Sequence, residues 1–128
     1  MEMMKDSTVL SITEDVSWVG ILDKSIVTFD IVMETKEGTT YNSYFIHAGK
    51  NVVIDTAKET FLDVYLEKIR RVTDPSAIDY IVVTHTEPDH SGCVKYLLEL
   101  APGAVVYGSR QALGSLQDMI HRPFKFVA

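Results

Sequence analysis

The sequence predicts an α/β fold in which an antiparallel β opening feeds a series of βαβ units. Three observations carry that prediction. Residues 40–56, TYNSYFIHAGKNVVIDT, read as strand, Gly49-centred turn and strand, with Tyr44 and Ile46 alternating against Ser43 and Phe45, which is a hairpin. Residues 78–83, IDYIVV, form a nearly continuous apolar run, the pattern of a strand covered on both faces. Downstream of it, helical and strand periodicities alternate at spacings that favour parallel pairing.

Taken in chain order, the apolar clusters at residues 9–12, 16–22 and 26–33 are rich in β-branched types and are broken by Glu14, Asp15, Asp23 and Lys24. Each reads as a short strand. A polar turn at Lys36, Glu37 and Gly38 precedes the hairpin. From Lys58 the period changes: Phe61, Leu62, Tyr65, Ile69 and Val72 fall at helical spacing, which leaves Glu59, Asp63, Glu67, Lys68 and Arg70 for the solvent face. That helix stops before Asp74 and Pro75, because the residue preceding a proline is pushed out of the helical region. Beyond the IDYIVV strand, the reading is a helix over 91–100, a strand over 104–107, a helix over 110–120 and a strand over 124–127. Pro102, Gly103 and Pro123 punctuate these elements. The last strand has no polar segment after it, so residues 1–128 are expected to be one partial domain.

With 46% apolar and 23% charged residues, the composition is that of a globular chain. A net charge of -6 lacks the basic stripe that neutralises phosphates, which argues against nucleic-acid and anionic-membrane partners. No apolar run approaches the roughly 20 residues that cross a bilayer. The N-terminus has no signal-peptide core and Cys93 is the single cysteine, so a cytoplasmic location is expected.

The chemistry concentrates in His85, Thr86, Glu87, Pro88, Asp89 and His90, directly after the IDYIVV strand and before a helix. Loops leaving the carboxyl ends of strands are where side chains converge above a rigid scaffold. His85 and Glu87 are two apart in extended chain, so both can point to one side and share an ion. Pro88 then forces a turn that re-aims Asp89 and His90, which can serve a second ion. Ser91 is read as the N-cap of the next helix. Imidazole and carboxylate without thiolate suit iron, manganese or zinc. Two ions usually need more than four ligands, so the loop alone is half a site.

The segment VVTHTEPDHSGCV resembles the metal loop of flavodiiron proteins, in which a glutamate, here Glu87, replaces the second histidine of the HxHxDH motif of the wider metallo-β-lactamase superfamily. The similarity extends upstream through GTTYNSYFIHAGKNVVIDT and downstream to HRPFKFV. The resemblance implies the N-terminal half of an αββα sandwich. It implies that His85 and Glu87 correspond to ligands of one iron, and Asp89 and His90 to those of the other, with His90 either bound or hydrogen-bonding nearby. Members of that family reduce O2 or NO, to water or N2O, at a non-haem di-iron site. Their electrons come from an external donor through FMN in a flavodoxin-like domain, and their subunits pair head to tail as homo-oligomers. The family's later ligands, two histidines and a bridging carboxylate, have no matching positions in these residues, nor does the flavodoxin-like domain. Two alternatives stand beside this one: a non-catalytic metal-binding or sensing module, and a metal-dependent hydrolase, against which Glu87 speaks.

The remaining candidates have plainer readings. His47 and His121 are structural histidines, Asp55 is an acceptor for backbone N–H groups and a support for the metal loop, and Cys93 is a small core residue. Tyr41, Tyr44 and Phe45 form aromatic strand packing, and Gly108 and Gly114 make no phosphate-binding pattern.

Overall fold

A computed structural model describes residues 9–23, 28–29, 33–34, 39–87, 91–121 and 123–128. The strands are β1 (Leu10–Ser11), β2 (Val16–Trp18), β3 (Ile21–Asp23), β4 (Thr28–Phe29), β5 (Met33–Glu34), β6 (Thr39–Tyr41), β7 (Tyr44–His47), β8 (Asn51–Ile54), β9 (Tyr80–Val82), β10 (Val105–Tyr107) and β11 (Lys125–Val127). The α-helices are α1 (Leu62–Val72), α2 (Val94–Leu100) and α3 (Arg110–Ile120). Seven strands form one sheet in the order β1-β2-β7-β8-β9-β10-β11. Pairing is antiparallel from β1 to β8 and parallel from β8 to β11, as the switch from hairpin to βαβ patterning requires.

The β7–β8 hairpin turns at Gly49, whose φ of 85° is the left-handed conformation that glycine adopts without strain. The apolar run at 16–22, expected as one strand, divides into β2 in the large sheet and β3 in a separate pair with β6. Gly20 lies at the break, where a Cβ would stand 2.4 Å from the Tyr41 carbonyl oxygen, so the chain can cross there only without a side chain. The run at 26–33 likewise yields two short strands, β4 and β5, paired with each other. The turn expected at 36–38 lies outside the described residues.

One face of the sheet is the core face. Phe45, Val53, Ile81 and Val106 are each no more than 3% exposed and share a cluster with Tyr65 and Ile69 of α1, Val94 and Leu97 of α2, and Leu116 of α3. Alternation along the strands sends Ile46, Val52, Tyr80 and Val82 to the other face, where they are half-buried and stand outside that cluster. Tyr107 and Val127 on that face are 37% and 43% exposed. Among the described residues the helices lie on the Ile81 side of the IDYIVV strand, and its other face is half-buried at Tyr80 and Val82. A single helical layer on one sheet is the half-sandwich that was expected.

Helix α1 departs from its predicted pattern at one residue. Lys68, assigned to the solvent face, is 1% exposed. It sits three residues after Tyr65 and one before Ile69, at the margin of the buried stripe, and its ammonium turns inward. Its Nζ donates to the Gly20 carbonyl at 2.5 Å and stands 4.5 Å from the centre of the Trp18 ring. Among the described residues, no helix is long and apolar enough to cross a membrane.

Candidate metal centre

The loop that carries the ligand motif leaves the carboxyl end of β9, between β8 and β10. The ladder continues one step past the strand: Asp55 N–H donates to the Val82 carbonyl at 2.8 Å and Val83 N–H to the Tyr107 carbonyl at 2.8 Å. Thr84 is then taken up by a side chain from the neighbouring strand end. Its N–H donates to Asp55 Oδ1 at 2.7 Å, and its hydroxyl donates to Asp55 Oδ2. Both carboxylate oxygens of Asp55 thus hold the residue immediately before His85.

Asp55 can do this because of where β8 ends. Its φ of 57° is left-handed, a conformation that aspartate tolerates better than most residues, and its side chain swings back over the sheet end. The residue is 6% exposed. Beneath it, the Asp55 carbonyl accepts the Ser43 hydroxyl at 2.8 Å and the Tyr65 hydroxyl at 3.3 Å, and those two hydroxyls lie 2.8 Å apart. Complete burial pushes the Tyr65 phenol well above its ordinary pKa, which keeps it a proton donor in this network.

The far side of the loop is closed by Ser91, which is 1% exposed. Its N–H donates to the Glu87 carbonyl at 3.0 Å, and its Oγ lies 2.9 Å from the Thr86 carbonyl and 3.0 Å from that of Glu87. The expectation that Ser91 caps the following helix is thereby corrected. Its hydroxyl is used as a donor to carbonyls, whereas a cap must accept from N–H groups. Helix α2 begins at Val94, after Cys93, with no side-chain cap. Instead, Cys93 N–H donates to Thr56 Oγ1 at 3.2 Å, so Asp55 and Thr56, adjacent in sequence, brace both flanks of the loop.

Between these anchors, His85 and Glu87 are exposed and Thr86 is half-buried. Asp89 and His90 lie outside the described residues, and among the described residues no group of three or more His, Cys, Asp or Glu side chains gathers around a common point. The donors in place fit a hard or borderline ion such as iron: an imidazole and a carboxylate two residues apart on a pinned backbone. The one thiol is buried elsewhere. Cys93 is 0% exposed, and burial pushes its pKa up to about 12, so it is an inert core residue and not a thiolate ligand.

His47 and His121 take structural places. His47 Nδ1 lies 2.5 Å from Asn51 Oδ1 at the opposite end of the β7–β8 hairpin from the loop. His121 terminates α3 with a left-handed φ of 58°. Asp55 is an acceptor as expected, yet its partner is Thr84, 29 positions away, and nothing in the local pattern announces that pairing. The contribution of Thr56 carried no signal at all.

Residues 37–122 match the sequence pattern of the Metallo-beta-lactamase superfamily. The chain is 48% identical over 113 residues to the flavo-diiron protein FprA2 of Clostridium acetobutylicum, which covers 88% of this chain and 28% of that relative. It is 38% identical over 109 residues to a nitric oxide reductase of Moorella thermoacetica, covering 84% of this chain and 27% of that one. Among solved structures, the rubredoxin oxygen:oxidoreductase of Desulfovibrio gigas superposes with a TM-score of 0.86 at 27% identity, over 94% of this chain and 30% of the other. The chain spans between 17% and 28% of the length of the curated relatives it matches.

Proposed function

Because the chain belongs to the metallo-β-lactamase superfamily, in its flavodiiron branch, we propose that it is the N-terminal portion of an oxidoreductase that reduces O2 or NO at a non-haem di-iron site. The observation that carries this reading is the pair of exposed ligand candidates, His85 and Glu87, on backbone pinned at Thr84 and at Ser91. In the reading, His85 and Glu87 hold one iron, and Asp89 with His90 serves the other. Iron held there would bind O2 or NO and pass on to it the electrons that the external donor provides. The protein's own part is positional: the Asp55 clamp fixes the approach to His85, and the Ser91 bonds fix the carbonyls on either side of the Glu87 nitrogen. Preset ligands lose little freedom when an ion arrives.

The same reading assigns FMN to a flavodoxin-like domain, electrons to an external donor, and the assembly to a cytoplasmic homo-oligomer. Residues 1–128 contain half of the ligand set, so turnover is expected only together with the remaining family ligands and the flavin. The test joins this chain to the matching later region of the Clostridium acetobutylicum relative. Two irons per chain and reductase-dependent consumption of O2 or NO are expected, and both should be lost in His85→Ala. A fusion that folds yet holds no iron would refute the assignment.

A further inference from the structure

The contact behind the loop is between Ser91 and a thioether. Ser91 Oγ lies 3.7 Å from Met119 Sδ, besides its 2.9 and 3.0 Å approaches to the Thr86 and Glu87 carbonyls. A serine hydroxyl has one proton to give, and a thioether is a weak acceptor, so the two carbonyls hold that proton. Met119 is only half-buried near the end of α3, and it lines a cavity of about 320 Å³ together with Ser91, Gly92, Leu116 and His121. The thioether therefore borders a space that a small oxidant can enter, while its neighbour Ser91 is 1% exposed and secures the loop.

We propose that Met119 is an oxidation site through which hydroperoxides loosen the loop carrying His85 and Glu87. The reaction needs only hydrogen peroxide or an organic hydroperoxide. The sulfur lone pair attacks the distal peroxide oxygen, an S–O bond forms and the O–O bond breaks. Sulfur loses two electrons, and the proton on the attacked oxygen passes to the departing oxygen, which leaves as water or an alcohol. The product is methionine sulfoxide, whose S–O oxygen is a strong acceptor in place of a weak one. It stands within reach of the Ser91 hydroxyl and competes with the Thr86 and Glu87 carbonyls for its single proton. A polar, bulkier side chain at this point also disturbs the contact between α3 and the Ser91 turn. Any consequence for metal rests on the reading of His85 and Glu87 as ligands, whereas the oxidation and the loosening do not.

The test treats the full chain with hydrogen peroxide, locates added oxygen by peptide mass, and follows hydrogen exchange at the Ser91 amide, which donates to the Glu87 carbonyl. Loss of one hydrogen bond should speed that exchange by about fivefold. A methionine sulfoxide reductase should reverse both changes. Met119→Leu, close in volume and without sulfur, should show the untreated exchange rate before and after peroxide, and Met119→Gln should exchange faster without any peroxide. The proposal is overturned if Met119 resists a dose that oxidises free methionine. It is equally overturned if the sulfoxide forms with Ser91 exchange unchanged, or if Met119→Leu loosens as much as the parent chain on treatment. Iron binding by the fusion described above is read separately, so failure of the metal assignment leaves these outcomes intact.

Discussion

Replacing Asp55 separates two contributions that the native residue combines: acceptance of two bonds from Thr84, and tolerance of a φ of 57°. Bonds to a charged acceptor contribute about 1.5–3 kcal/mol each when buried. Thr84 is exposed, however, so water can replace part of what is lost, and the lower end of that range applies. Alanine removes both bonds and adds about 1 kcal/mol for holding a Cβ-bearing residue in the left-handed region. Asp55→Ala should therefore lose about 3–4 kcal/mol. Asp55→Gly removes the bonds without the conformational penalty and should lose about 2–3 kcal/mol. Asp55→Asn keeps an acceptor for the Thr84 N–H, offers a donor to its hydroxyl, and suits the same φ, so about 1 kcal/mol is expected. Guanidinium unfolding monitored by circular dichroism, with midpoints compared at constant slope, reads the series. The order asparagine, glycine, alanine is the signature. Equal losses for alanine and asparagine would refute the clamp, and equal losses for alanine and glycine would refute the backbone argument.

Lys68→Met should lose about 1 kcal/mol in urea unfolding, because the orphaned Gly20 carbonyl and the lost Trp18 contact outweigh relief from burying a charge; Lys68→Ala should lose about 3 kcal/mol by adding a cavity. Cys93 and Tyr65 both hold their protons more tightly folded than unfolded, so their contribution is complete below the unfolded values and fades as pH rises. The melting temperature should thus fall above about pH 9, and Cys93→Ala should flatten the part of that fall between 9.0 and about 12 that belongs to the thiol. A melting temperature flat to pH 11 would contradict the burial argument. Gly20→Ala should reduce stability by more than 2 kcal/mol on the order of a core overpacking defect, since the clash is with backbone that cannot yield; calorimetry would show it. In the fusion, Glu87→Gln should weaken iron binding at least tenfold as roughly expected for loss of a charged ligand, measured by competition with a chelator.

The elements most legible in the sequence are those whose pattern is local. The hairpin around Gly49, the stripe of α1 and the strands β9 to β11 follow from periodicity, and the place of the HTEPDH loop at a strand end follows from the IDYIVV run before it. What was not legible depends on pairs far apart in the chain. Lys68 reads as a surface residue until Gly20 and Trp18 are brought beside it. Ser91 has a cap's identity, yet the helix begins only at Val94 and the nearby carbonyls of Thr86 and Glu87 take the Ser91 hydroxyl as a donor. The division of residues 16–22 between two sheets depends on the Tyr41 carbonyl, which no pattern within that stretch reveals.

The bracing of both loop flanks by Asp55 and Thr56 bears on portability. HTEPDH looks like a cassette that could be moved to any strand-to-helix junction. The flanking residues Thr84 and Cys93, however, are secured by residues following another strand, 29 and 37 positions away. A graft of the six residues alone carries the candidate ligands and leaves behind the bonds that hold Thr84 and Cys93. The smallest transferable unit is the β8 end together with the β9 loop, a two-strand piece whose intervening helix α1 supplies Tyr65 beneath Asp55.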